Sequence, residues 1–312
     1  MNQPRVSVII PAYQSNSTIA DCLEGLREQT FRDFGLIVVN SSADEETRRL
    51  VEEGFHEAIF EQAKHRLLPH AARNRGAIRA RGELLVFTDP DCRARSDWLQ
   101  RLIDAHDAGH QLVCGAIELS DDADWFERGV HLCKYSFRLS RLSPRLTWVA
   151  GTANGSCSRE VWNAVGPFDG DCYAGDALFT WRAAARGWRA WFEPRAVVVH
   201  HYYGSVRSLV QERFLRGDDF ASTRVEFERW SRLRAAGHIA AFPLAFLIVL
   251  ARGCRDAFAV QRGWTFFETL PLQFSGHAAW LCGELRAYYR RAVQVTRPEA
   301  VALLPSAPRE KS

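Results

Sequence analysis

The sequence predicts an α/β protein built on a doubly wound sheet with flanking helices, followed by an apolar helical region toward the carboxyl end. Two observations predict the sheet and a third the appendage. Short apolar runs alternate with segments of helical spacing from Val6 to Ile117, the pattern of strand–helix–strand units. Those runs stop at proline, asparagine or aspartate, as strands do where they leave a sheet. Beyond residue 226, two long stretches carry almost no charge.

The elements follow in order. Arg5 to Tyr13 holds the run Val8-Ile9-Ile10 stopped by Pro11, a first strand, and Ser17 to Gln29 puts Ile19, Leu23 and Leu26 on one helical face. A second strand, Phe34 to Val39, ends in Asn40-Ser41-Ser42, and Asp44 to Gly54 is a helix closed by glycine. A short strand near Ala58 to Phe60 and a helix from Ala71 to Arg81 lead into Glu83 to Thr88, an apolar strand ending in Asp89-Pro90-Asp91. A helix from Trp98 to Ala108 and a strand from Gln111 to Ile117 continue the alternation. This order implies a parallel sheet whose ligands bind beyond the carboxyl ends of the strands, so the polar strand ends converge on one edge. From Asp121 the pattern changes to interleaved Trp, Phe and Arg, then to the glycine-rich Val149 to Ser156. A strand at Ala196 to Val199 ends in His200-His201, and Ser208 to Leu215 reads as a helix.

Of the two apolar stretches, Ala235 to Ala251 has no Lys, Arg, Asp or Glu but contains His238 and Pro243, and Gly263 to Gly283 contains Glu268, Pro271 and His277. A bilayer span needs about 20 predominantly apolar residues, so the first is borderline and the second too polar at its middle. Both also suit the core of a soluble helical domain. Arg232, Arg234, Arg252 and Arg255 flank the first stretch and favour an interfacial or re-entrant hairpin among headgroups. Thr296 to Ser312, with three prolines and terminal charge, is expected to be a disordered tail.

Composition narrows the function. A chain of 312 residues, 47% hydrophobic and 25% charged, has material for a large core and is not a disordered protein. Forty basic against 37 acidic residues, a formal net charge of +3, is too balanced for nucleic acid as the main partner. Arginine greatly outnumbers lysine and clusters in 186–234, a basic surface suited to headgroups or a diphosphate, or simply a solvated face. The eight cysteines include no C-x-x-C pair and read as reduced thiols, neither a disulfide framework nor a zinc site. No basic-then-apolar leader precedes Val6, so no signal peptide is expected and the catalytic part should face the cytoplasm.

Asp89 and Asp91, one residue apart at a strand end, are hard oxygen donors suited to Mg²⁺ or Mn²⁺ with positions left for phosphate. Asp-Pro-Asp is equally an ordinary turn composition. The surrounding motifs decide between them. Val6-Ser7-Val8-Ile9-Ile10-Pro11-Ala12-Tyr13, Gln29-Thr30-Phe31-Arg32-Asp33-Phe34 ahead of a strand, Ala72-Arg73-Asn74-Arg75-Gly76 and Phe87-Thr88-Asp89-Pro90-Asp91-Cys92 together resemble glycosyltransferase family 2, with its GT-A fold. Asn154, Ser158-Arg159-Glu160, Val165-Gly166-Pro167-Phe168-Asp169, then Asp176 ahead of Trp181-Arg182 and Gly187, are similar to the acceptor half of that family. The resemblance covers roughly residues 5–220.

The resemblance implies a mixed GT-A sheet and an inverting, single-sugar transfer from a nucleotide-diphospho-sugar to a glycan or lipid-linked acceptor at the cytoplasmic membrane face. Mg²⁺ or Mn²⁺ is the implied cofactor. Asp91 is implied as metal ligand, Asp89 as a second ligand or a ribose contact, and His200, or its neighbour His201, as the histidine beside metal and diphosphate. Pro11, Ala12, Tyr13, Asn40, Ser42, Arg73 and Asn74 are implied on the donor, with Tyr13 stacking on the base or merely packing at the rim. Asp176 is implied as the catalytic base, and by residue type it also suits a helix N-cap. Trp148, Asn154, Trp181 and Arg182 are implied around the acceptor, although Trp181 on a helix also reads as core. The expected organisation is a transferase domain over 1–225, divided into a nucleotide-sugar half (1–118) and an acceptor half (119–225), then a membrane-associated helical region (226–295) and the tail (296–312).

Two positions depart from the family pattern: Asn40 stands where an aspartate commonly contacts the nucleobase, and Gly175 where a glutamate commonly precedes the base. They motivate the alternative of a catalytically degenerate nucleotide-sugar-binding or scaffold protein. Gln211-Glu212-Arg213-Phe214 lacks the spacing of the Q-x-x-R-W signature of processive synthases, which favours single transfer. A nucleotidylyltransferase would want a glycine-rich basic phosphate loop after the first strand, and Pro11 to Thr18 is not one.

Overall fold

The computed structural model describes residues 3–202 and 204–294. In chain order the first elements are β1 (Val6–Ala12), α1 (Ile19–Arg27), β2 (Phe34–Asn40), α2 (Glu45–Gly54), β3 (Ile59–Gln62), α3 (Pro69–Arg79), β4 (Leu84–Thr88), β5 (Cys92–Ala94), α4 (Trp98–Asp107) and β6 (Leu112–Glu118). Then come α5 (Trp125–Tyr135), β7 (Arg145–Thr147), β8 (Asn154–Ser158), α6 (Arg159–Val165), α7 (Gly175–Ala184) and β9 (Ala190–His200). The remainder is helical: α8 (Val206–Phe227), α9 (Arg232–Ala240), α10 (Phe242–Ala259), α11 (Gly263–Glu268) and α12 (Leu270–Val293). Contacts divide the described residues into two units, 3–118 with 143–200 and 119–142 with 201–202 and 204–294.

The first unit is a nine-stranded sheet in the order β3-β2-β1-β4-β8-β6-β9-β5, with β7 also on β9. All seven residues of β1 are buried, as a strand covered on both faces requires. β3, β2, β1 and β4 run parallel. β8 enters antiparallel, so the sheet is mixed and not the all-parallel one that alternation alone implies. Its start fixes this: Asn154 pairs with Thr88, at the edge where β4 ends, and the chain can only run back. Asp44 caps α2 by accepting from the Thr47 N–H, and Pro69 opens α3, where a missing N–H costs nothing.

The second unit is held by α8 lying along α12. The approach is close enough that a Cβ on Gly217 would lie 2.1 Å from the Trp280 carbonyl oxygen, and one on Gly283 2.1 Å from that of Phe214. Because α8 runs unbroken to Phe227, the expected domain boundary at 225 falls inside a helix. Residues 119–142, expected with the acceptor half, cluster with the carboxyl-terminal helices, and Lys134 pairs there with Glu212 at 3.0 Å.

Among the described residues no single helix is long and apolar enough to cross a membrane. α9 and α10 pass by length and composition only together, and they bend by 65° where Pro243 starts the second helix. The expected tail, 296–312, lies outside the described residues.

Candidate active site

β5 is three residues long, yet its register sets the site. Cys92 stands opposite His200 on β9, which brings Asp91 Oδ2 to 3.7 Å from His200 Nε2. Asp89-Pro90-Asp91-Cys92 closes as a β-turn, the Cys92 N–H donating to the Asp89 carbonyl at 3.1 Å, so turn and site are one feature. The Asp91 side chain is 34% exposed, whereas His200 is buried. Asp91, Cys92 and His200 each offer a ligand atom within 4.8 Å of the others. Burial, then the Asp91 and Asp89 carboxylates, push the Cys92 thiol up, so it stays protonated and is a poor ligand for a hard cation. The carboxylate oxygen and the imidazole nitrogen suit Mn²⁺ or Mg²⁺, and the exposed side of Asp91 leaves room for further oxygen ligands.

The two aspartates that the sequence groups are held by different partners. Asp89 is ion-paired with Nη2 of the buried Arg73, whose Nη1 lies 3.5 Å from His70 Nδ1. Arg73 Nε is buried with no acceptor among the described residues, a cationic N–H available to an anionic ligand.

The other expected donor residues fall into two groups. Pro11 and Ala12 are buried at the end of β1, and Tyr13 follows half-buried with the Arg66 guanidinium 4.5 Å from its ring centre. Asn40 is fully buried: Nδ2 donates to the Ser42 carbonyl at 3.2 Å and to Gln62 Oε1 at 3.1 Å, and Oδ1 accepts the Ser42 N–H at 3.2 Å. Asn40 is thus built into the loop that carries Ser42, with its amide engaged there. Ser42 is buried beside Asp44, which it hydrogen-bonds. Asn74 clamps the backbone of Phe168, donating to its carbonyl at 2.9 Å and accepting its N–H at 3.0 Å, and so fastens α3 to the segment that leads into α7.

Asp176 is the second residue of α7. The N-cap is Ala174, so Asp176 is not the cap that its residue type allowed. Its Oδ2 accepts the Thr152 N–H at 3.3 Å and its Oδ1 the Ala177 N–H at 2.8 Å, leaving the side chain 21% exposed. Thr180 braces this arrangement: its hydroxyl donates to the Asp176 carbonyl at 2.8 Å and accepts the Ala150 N–H at 3.1 Å. The result is an oriented, partly open carboxylate.

Among the acceptor candidates, Trp148 is 66% exposed and stands edge-on to the buried Trp181, ring centres 6.4 Å apart. Trp181 is therefore core support beneath an exposed platform, and Arg182 is half-buried beside it in sequence. Asn154 is fully buried, Nδ2 donating to the Ala116 and Ala196 carbonyls and Oδ1 accepting from Trp98 Nε1, so it ties strands together. His70, Gln62 and Arg66 were not found from sequence. Only Pro69, which fixes His70 in the first turn of α3, offered a signal.

The sequence profile of Glycosyl transferase family 2 matches residues 7–162. Glycosyltransferase AglE of Haloferax volcanii is 28% identical over 209 residues, 63% of this chain and 67% of AglE. The GalNAc(5)-diNAcBac-PP-undecaprenol beta-1,3-glucosyltransferase of Campylobacter jejuni is 24% identical over 116 residues, 36% of this chain and 38% of that enzyme. Mannosyltransferase PcManGT from Pyrobaculum calidifontis, solved with GDP-Man and Mn²⁺, superposes with a TM-score of 0.61 at 20% identity, covering 93% of this chain and 89% of its own. That last likeness is one of fold, the GT-A arrangement of a mixed sheet and flanking helices.

Proposed function

Because this chain belongs to glycosyltransferase family 2, we propose that it moves a single sugar, with inversion, from a nucleotide-diphospho-sugar to a lipid-linked glycan at the cytoplasmic membrane face. The observation that carries the reading is a run of contacts joining the two halves of such a reaction. Asp176 lies 3.9 Å from His70, His70 lies 3.5 Å from Arg73, and Arg73 pairs with Asp89, beside Asp91 and His200.

In this reading the donor diphosphate lies near Asp91 and His200, with the Arg73 Nε–H turned to it. Asp91 and His200 would hold Mn²⁺ or Mg²⁺, which would supply positive charge to offset that of the leaving diphosphate. Asp176 takes the proton of the acceptor hydroxyl while the acceptor oxygen bonds to C1 of the sugar and the bond from C1 to the diphosphate oxygen breaks. The Thr152 and Ala177 N–H groups keep the carboxylate aimed. Trp148 supplies an aromatic face on which an acceptor sugar can stack.

Two observations support a lipid-linked acceptor and a membrane surface. The Campylobacter relative is named for an acceptor carried on undecaprenyl diphosphate. On α10 the exposed Leu244, Leu247 and Ile248 form one stripe, and Arg252 and Arg255 continue it by helical spacing, an apolar patch ended by cations as suits a helix end at anionic headgroups.

The test is calorimetric binding of UDP, GDP and dTDP, with and without Mn²⁺, to wild type and Asp91→Ala. Metal-dependent binding of one nucleotide that weakens about tenfold or more in the variant supports the donor site. Binding of none of them would leave the degenerate scaffold as the better reading.

A further inference from the structure

Position 175 is closed to any side chain, and the group that helps to close it is His70. A Cβ on Gly175 would lie 2.8 Å from His70 Cδ2, 3.0 Å from Cγ and 2.5 Å from the Asp169 carbonyl oxygen. The imidazole thus fills the space immediately before Asp176, and the glycine is the residue that lets it do so. His70 is buried, with its ring 5.1 Å from that of Phe168, which in turn packs on Phe87, Trp162 and Phe179.

The partners of the ring define its hydrogens. Nε2 lies 3.3 Å from the Tyr173 carbonyl oxygen, which only accepts, so Nε2 carries the hydrogen. Nδ1 faces Arg73 Nη1, which only donates, so Nδ1 is the acceptor. Nε2 also lies 3.9 Å from Asp176 Oδ1, a gap of the kind that closes when a site takes up its substrates.

We propose that His70 is a positioning residue of this enzyme: through its Nε2–H it orients the Asp176 carboxylate. The inference rests on Asp176 being the base. Loss of the N–H leaves the carboxylate to the Thr152 and Ala177 N–H groups alone, which slows the chemical step without changing how the nucleotide is held. Gly175 and His70 act as a pair, so a side chain at 175 displaces the ring and mimics its loss.

The experiment measures turnover of a panel of UDP-, GDP- and dTDP-hexoses with Mn²⁺, water serving as acceptor, for wild type, Asp176→Asn, His70→Phe and His70→Gln. His70→Phe keeps an aromatic ring against Phe168 and removes the N–H, whereas His70→Gln retains an N–H donor. The expected result is a kcat lower by about tenfold or more in His70→Phe, with donor KM and nucleotide Kd within about twofold, and substantial recovery in His70→Gln. A purely structural role would instead move Tm, KM and Kd together and would not be rescued by glutamine. If His70→Phe does not fold, His70→Asn, which is smaller, is compared with His70→Gln on the same terms. Full kcat in His70→Phe beside a silent Asp176→Asn overturns the inference alone. Undiminished turnover in Asp176→Asn, or none by wild type with any donor, overturns the base assignment and this inference with it.

Discussion

The sheet unit and the helical unit both bury charged side chains, but they leave them in different states. In the sheet unit Arg73 is buried with one N–H unmatched among the described residues, and Asp91 and Asp176 are held on one side and open on the other. In the helical unit Glu212 is enclosed by Lys134 at 3.0 Å and Arg216 at 2.8 Å, and Arg290 is closed onto Asp218 and Ser222. The helical unit instead leaves apolar surface open, with Leu233 83% and Trp264 81% exposed. Burial of charge alone therefore does not mark a site. A carboxylate held on one side and open on the other does; an unmatched buried N–H by itself does not, because Arg224 Nε in the helical unit also has no hydrogen-bond acceptor among the described residues.

The largest expected effects break this comparison most directly. Asp176→Asn should lower kcat by about 10³-fold and leave nucleotide affinity and Tm near wild type, because it removes a base and no packing. Lys134→Met should do the reverse. It leaves Glu212 buried with one fewer cation and should cost about 3 kcal/mol of stability, read from denaturant midpoints, with kcat of the folded protein within about threefold of wild type. An Asp176→Asn protein that melted early, or a Lys134→Met protein that lost turnover, would erase the distinction between the units.

The same distinction explains what was legible in the sequence. Strand ends are marked by apolar runs that stop, so Asp89, Asp91 and His200 stand out in order along the chain, whereas Asp176, in the first turn of a helix, was found only through the family resemblance. Family resemblance then gave them roles. The amides of Asn40, at a strand end, and of Asn154, at a strand start, are hydrogen-bonded within the protein, which the sequence does not show because their partners come from segments far apart in the chain, such as β6 for Asn154 and Gln62 for Asn40. His70 was invisible for that reason too, since its partners at 168–176 lie about a hundred residues away. The antiparallel entry of β8 and the helix that runs through 225 are likewise tertiary outcomes that alternation and breaker residues do not encode.

Acid should separate the units by window. His106 in α4 is buried with Nε2 2.8 Å from Ser156 Oγ, and burial lowers its pKa from 6.5 to about 4. The unfolded chain therefore takes up a proton that the folded one refuses, so stability falls as pH drops from 6.5 toward 4, by on the order of 3 kcal/mol at the bottom of that window. For Glu212 burial raises the pKa, but Lys134 and Arg216 outweigh it and bring it down to about 2 from the ordinary 4.5. Its contribution is complete above 4.5 and is lost only as pH falls toward 2. Denaturant titrations from pH 7 to 3.5 on wild type and His106→Gln check this: the variant should lose most of the slope between 6.5 and 4 and keep the one below 4.5.

The smallest effect on stability is expected where the helical unit is most apolar on its surface. Leu247→Ser and Trp264→Ser remove exposed side chains that bury little in the folded chain, so each should change stability by no more than about 0.5 kcal/mol. Their effect should appear only against a bilayer. The α10 stripe of Leu244, Leu247 and Ile248 ends in Arg252 and Arg255, and this order should bind vesicles of phosphatidylglycerol more tightly than vesicles of phosphatidylcholine, the difference shrinking as salt rises. The double variant should then sediment with anionic vesicles several-fold less than wild type at equal Tm. Equal sedimentation of the two would mean that the stripe is not a lipid contact, and equal sedimentation together with a marked loss of stability would mean that these side chains pack in solution, which would return the helical unit to the rule that governs the sheet.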